Sequence, residues 1–190
     1  MHTSATSCCL LFLASAGAND LLKAIDANNP SRTNMALKTT SLKKVNEPNE
    51  DGQTPLMVAV AGGKHKVIKA LLKAQADTTI PDKHGLTVMH VAADRGQDRA
   101  LQILITNGID TAGLLADGYS PLHRAVKNGH TATAKVLLMH SALDSSTSTK
   151  AWEVPTGDGK LLLDLAPDAT MTDVVKKFTQ TGGKAVKEEA

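Results

Sequence analysis

Apolar residues in the middle of the chain recur with two spacings at once. Over short stretches they fall on neighbouring helical turns, as in Val88, Met89, Val91, Ala92 and Ala93, and again in Ala100, Leu101, Leu104 and Ile105. That spacing gathers them on one face of a helix and leaves polar residues on the other. Gly96 stands between the two stretches, and Asn107-Gly108 follows the second. Glycine reaches a positive φ without the clash that a Cβ brings, so Gly96 reads as the reversal between two short helices and Asn107-Gly108 as the stop. The pattern predicts a first helix over about residues 87–94 and a second that carries Ala100 to Ile105.

The longer spacing is 33 residues. Ala59, Ala92 and Ala125 repeat at that interval, as do Gly63, Gly96 and Gly129 and the apolar pairs Leu71/Leu72, Leu104/Ile105 and Leu137/Leu138. A single short helix pair cannot bury its apolar face. Stacked copies bury it for one another, which predicts an elongated, gently curved array of about three or more units.

Three segments open the units: Gly52-Gln53-Thr54-Pro55-Leu56-Met57, Gly85-Leu86-Thr87-Val88-Met89-His90 and Gly118-Tyr119-Ser120-Pro121-Leu122-His123. Thr54, Thr87 and Ser120 stand where a hydroxyl can cap a helix, and Pro55 and Pro121 at the first helical position, where a missing N–H costs nothing. With this period and a Gly-x-Thr-Pro-Leu-His-like start, the chain resembles the ankyrin repeat family. The resemblance implies an all-α solenoid of about five helix-turn-helix units with short β-turn fingers, approximately residues 20–51, 52–84, 85–117, 118–158 and 159–178, the terminal units divergent. It also implies that the recurring His90 and His123 bond neighbouring backbone. Their separation is too wide for a local metal-binding motif.

The ends depart from the pattern. Val45-Asn46-Glu47-Pro48-Asn49-Glu50-Asp51-Gly52 resembles the family's closing segment, Val-Asn-Ala-x-Asp-x-x-Gly, so a degenerate unit precedes it. Its first helix falls on Asp20 to Asn29 and its second on about residues 31–41, with Pro30 near the turn. Downstream, a start due at residue 151 arrives at Gly159, making that finger eight residues longer. The extension holds Ser145-Ser146-Thr147-Ser148-Thr149 and the chain's single tryptophan, Trp152. Two readings of Trp152 stand: the indole folds back near Leu161 or Leu163, or it anchors a partner by burying a large area at modest entropic cost. Beyond it, Leu162, Leu163, Leu165 and Ala166 predict a first helix, Val174, Val175 and Phe178 a second, and residues 179–190 a flexible tail. The segment 1–19 also has two readings. Cys8-Cys9-Leu10-Leu11-Phe12-Leu13-Ala14 before Ser15-Ala16-Gly17 has the short apolar core and small-residue end of a secretory signal, but no Lys or Arg precedes it. The other reading is a helix packed on the first unit. The packed helix places the protein in the cytoplasm, the signal outside the cell, and the run is too short to span a bilayer.

Charge and chemistry narrow the function. A net charge of +2, from 21 basic against 19 acidic residues, with no basic run interleaved with aromatics, disfavours nucleic acid as a partner. Lys64, Lys66, Lys69 and Lys73 read as a solvated helix face. The only cysteines, Cys8 and Cys9, are adjacent, so no disulfide framework holds the fold. Thr156-Gly157-Asp158-Gly159-Lys160 lacks phosphate-loop spacing, and Leu161 replaces the hydroxyl residue that would hold magnesium, which leaves a turn. Histidines and carboxylates cluster no further than the repeat period. The expectation is a non-catalytic protein with no cofactor and no metal.

Function then falls to the surface that stacking creates. In ankyrin proteins partners commonly occupy a concave groove between the fingers and first helices. The resemblance carries that groove onto Glu50, Asp51, Gln53, Ala61 and Gly62, onto Lys83, His84, Leu86, Asp94 and Arg95, and onto Ala116, Asp117, Tyr119, Lys127 and Asn128 in successive units. The middle set, beside Tyr119, has the composition of a binding hot spot. Two functions remain open: an adaptor binding a protein partner through the groove, and a structural subunit of a larger multiprotein assembly. A secreted ankyrin protein is a third reading that depends on cleavage near Ala16.

Overall fold

Each central unit begins where a hydroxyl residue in extended conformation precedes the first helical turn. Thr54 accepts the Met57 N–H at 3.3 Å, and Pro55 occupies the first helical position, where no backbone donor is needed. Ser120 goes further: its Oγ accepts the His123 N–H at 3.3 Å while its own N–H donates to His123 Nδ1 at 3.2 Å, a closed capping box. Thr87 departs from the expected cap. Its hydroxyl makes no bond to the helix backbone and lies 2.9 Å from His90 Nδ1.

The computed structural model describes residues 18–39, 45–111, 113–143, 153 and 155–180. Its helices are α1 Ala18–Asp26, α2 Pro30–Thr39, α3 Pro55–Ala61, α4 His65–Lys73, α5 Val88–Asp94, α6 Asp98–Thr106, α7 Pro121–Lys127, α8 Thr131–Leu143 and α9 Ala169–Gln180, with a 3-10 turn at Leu162–Leu165 between α8 and α9. No β-strand forms among these residues. The fingers are hydrogen-bonded turns.

The helices pair within a unit and then stack in two layers. The first helices α1, α3, α5 and α7 pack in succession, with the 3-10 turn against α7; the second helices α2, α4, α6, α8 and α9 pack in succession beside them. A single apolar cluster runs between the layers from Leu21 to Val175, and Leu56, Met57, Ile68, Leu71, Met89, Leu101, Leu104 and Leu138 are fully buried in it. The apolar faces read from sequence are therefore the faces that meet. At the turn between α5 and α6, Gly96 has a φ of 65°, and a Cβ there would lie 2.7 Å from the His130 ring of the next unit. The position requires glycine for its φ and again for the ring that rests on it.

The terminal units differ from expectation in detail. Pro30 opens α2, and Asn29 Oδ1 caps that helix by accepting the Arg32 N–H at 3.0 Å. In the last unit the expected first helix shrinks to the four-residue 3-10 turn. Ala166 is extended (φ −67°, ψ 120°) because it precedes Pro167, whose ring disfavours a helical residue before it. Asp168 then caps α9 by accepting the Met171 N–H at 2.7 Å. That helix continues through Gln180, so Thr179 belongs to it and not to a tail. Residues 1–17, 40–44, 112, 144–152, 154 and 181–190 lie outside the described residues. Both readings of the N-terminal segment, both readings of Trp152 and the remaining tail fall there.

Candidate functional site: the finger and first-helix face

The fingers owe their shape to one polar side chain each. Asn49 Oδ1 accepts the N–H groups of Asp51 (3.0 Å) and Gln53 (2.8 Å) while Asn49 N–H donates to the Gln53 carbonyl (2.9 Å). One repeat later, Asp82 Oδ1 accepts from His84 (2.8 Å) and Leu86 (2.9 Å), and Asp82 N–H donates to the Leu86 carbonyl (3.0 Å). The third finger has Leu115 at this register. It keeps the backbone bond from Leu115 N–H to the Tyr119 carbonyl (3.0 Å), and Asp117 Oδ1 takes over the Tyr119 N–H (3.0 Å). In the fourth, Thr156 Oγ1 accepts the Lys160 N–H at 3.1 Å. Asn49 and Asp82 were not singled out from sequence, although their common register was a visible signal.

These turns set the candidate residues in place. Lys83 and His84 stand exposed on the second finger, whereas Gln53 and Leu86 are half-buried and Leu86 packs on the core. Arg95 is exposed at the C-cap of α5. Asp94 is drawn into the next unit: its carboxylate accepts from Arg124 Nη1 (2.8 Å) and Asn128 Nδ2 (2.9 Å), and its backbone carbonyl from His130 Nε2 (2.9 Å). Lys127 Nζ lies 4.9 Å from the centre of the Tyr119 ring, a cation-π contact, and Tyr119 meets His123 edge-on at 6.1 Å.

Asp94, Asp117, Tyr119, Arg124, Lys127 and Asn128 thus surround one hollow of about 60 Å³. The structure brings five of the expected residues together here: Asp94, Asp117, Tyr119, Lys127 and Asn128. Gln53, Lys83, His84, Leu86 and Arg95 do not line it. Arg124 was missed by the sequence reading, and its only signal was its place after the recurring histidine. The hollow is too small for an organic cofactor but has the size of a side-chain recess. No group of three or more His, Cys, Asp or Glu able to hold a metal ion occurs among the described residues. No helix there is long and apolar enough to cross a membrane.

A family model described as ankyrin repeats (3 copies) matches residues 10–113 and 81–149. The chain belongs to the ankyrin repeat family. No curated protein matches it significantly. The match covers the central ankyrin units and ends before the unit built on the 3-10 turn and α9. Ankyrin repeats are generally protein–protein interaction modules and typically non-catalytic.

The recurring histidine of the unit at residues 85–117 is buried beneath this face. His90 is 1% exposed, and desolvation lowers its pKa from the ordinary 6.5, aided by the nearby Arg124 charge and opposed by backbone at Tyr119 and Gly113. The folded protein holds it neutral, whereas the unfolded chain takes up a proton near pH 6.5. Its stabilising contribution is present above that pH and is lost as pH falls below it. The melting temperature is expected to fall with acidification below pH 6.5 more steeply in the native protein than in His90→Gln, measured by thermal melts across that range. Parallel slopes would remove His90 as the cause.

Proposed function

We propose that this ankyrin array is a non-catalytic binding module that engages a protein partner through the groove formed by its fingers and first helices. The observation that carries the reading is the clamped surface around Tyr119. Asp94, Arg124 and Asn128 lock two units together, so Tyr119 with Lys127 over its ring is presented on a backbone already held in place. An amphipathic ring and a cation with little freedom left to lose are what a partner can bind at low entropic cost. Exposed Arg95, at the C-cap beside Asp94, and exposed Lys83 and His84 on the preceding finger extend the surface by one unit. The reading places the protein in the cytoplasm as a monomer or as one subunit of a hetero-complex.

Pull-down from native extract with mass spectrometry identifies the partner, and titration tests the site. The Arg95→Ala/Tyr119→Ala/Lys127→Ala variant is expected to bind about tenfold more weakly or worse, with a melting temperature within about 2 °C of the native value. Leu86 is left out because it packs on the core, where its loss would confound the result. Unchanged affinity would overturn the groove assignment. A structural-subunit role draws on a different observation: Leu161 and Leu163 are exposed on the terminal unit, 49% and 37% respectively. An apolar end of this kind suits permanent coverage by a neighbour. Partner binding lost in Leu161→Ser/Leu163→Ser but kept in the groove variant would favour that role.

A further inference from the structure

The two helix layers carry different charge. The second helices α2, α4, α6 and α8 hold seven lysines and arginines, three of them on α4, against one acid, Asp98. The first helices α1, α3, α5 and α7 hold three bases and three acids. A chain whose net charge is only +2 therefore concentrates positive charge on its second-helix layer.

Within that layer a groove of about 600 Å³ opens between α4 and α6. Lys69, Lys73 and Arg99 line it and are exposed, and Leu72 and Ile103 contribute a half-buried apolar strip that rests on the core. Among the described residues no acid pairs with these three cations. Lys69 and Lys73 are also four apart on one helix, a like-charge spacing that weakens a helix unless an anion lies between. His65, at the same groove, has a buried Nδ1 with no hydrogen-bond partner among the described residues.

We propose that this groove docks an acidic peptide segment of a protein partner, with apolar side chains on Leu72 and Ile103 and carboxylates on Lys69, Lys73 and Arg99. Charge complementarity decides the sign of the occupant, since clustered unpaired cations attract and orient an anionic segment. The apolar strip decides its class. A lipid surface gains nothing from a recessed strip, and the groove holds no Phe, Tyr or Trp ring on which a nucleic-acid base could stack. A peptide that alternates carboxylates with a leucine or phenylalanine matches rim and strip together. This site lies on the opposite layer from the finger face and does not depend on it.

The test is a phage-displayed library of short random peptides panned on the full chain. Enriched peptides are then synthesised with a fluorescent label and titrated against the native protein, Lys69→Glu/Arg99→Glu and Arg95→Ala/Tyr119→Ala. The expected winners are acidic and contain Leu or Phe. Their affinity falls about tenfold or more with the charge reversal, persists in the finger-face variant, and drops when the peptide's apolar residue becomes Ser. Both replaced side chains are exposed, and amide shifts at Leu72 and Ile103 in the native protein report docking even if the reversal destabilises the fold. Absence of acidic winners, equal affinity for native and reversed chains, or tighter binding of phosphatidylserine vesicles or duplex RNA at these lysines would overturn the proposal.

Discussion

Leu104→Ala is expected to cost about 2–5 kcal/mol, the range for emptying a fully packed leucine site. Leu104 is 0% exposed on α6, which packs against α5 within its unit and against α4 and α8 on either side. A cavity there has little way to collapse, because the helix that would move is held from three directions. The loss also spreads. In a linear stack each unit is stabilised largely by its neighbours, so weakening the central one uncouples the array on both sides. Urea unfolding followed by circular dichroism measures the cost. A loss below about 0.5 kcal/mol would contradict the burial and with it the register of the repeat.

Gly118→Ala is expected to cost about 2–4 kcal/mol, from a positive φ that alanine resists and from loss of a backbone hydrogen bond between fingers. Gly118 has a φ of 76°, and a Cβ there would lie 2.5 Å from Gly157 N, the group that donates to the Asp117 carbonyl at 2.9 Å. The backbone of the fourth finger passes where the methyl would stand, so the two fingers must part. Gly85 supplies the control. Its φ is 79°, yet a Cβ there would meet nothing within 4 Å, so Gly85→Ala registers the backbone strain alone. The difference between the two variants measures the finger contact. Hydrogen exchange should localise it, with faster exchange in Leu162–Leu165 and α9 while α3 to α6 keep their protection. Equal losses in the two glycine variants would show that the fingers give way without cost.

Most of the architecture was legible because its signals are local. The helix faces, the capping hydroxyls at Thr54 and Ser120 and the reversal at Gly96 each depend on residues within a few positions of one another. Locality also explains the errors. Thr87 has the same register as Thr54 and Ser120, but its hydroxyl lies against His90 instead of capping the backbone. In the last unit Leu162, Leu163 and Leu165 fit a helical pattern, but Pro167 holds Ala166 extended and limits them to a 3-10 turn. The candidate face was legible only as a set of equivalent positions. That Asp94 would be taken up by Arg124 and Asn128 is a relation between units, and no pattern inside one unit contains it.

Periodicity along the chain was enough to establish the repeat, its period, the helices and turns of the central units, and the family they resemble, since side-chain spacing and backbone preference act locally. Packing decided which groups meet: the Asp94–Arg124–Asn128 clamp between units, Lys127 over Tyr119 within one, the Gly118–Gly157 backbone contact between fingers, and the basic groove between α4 and α6. Several of these pairs lie 30 or more residues apart, and whether they touch depends on how far one unit is shifted and rotated on the next. That offset comes from the packing of whole helix faces in two layers. A period states which residues are equivalent, and only the stacked faces state which are neighbours.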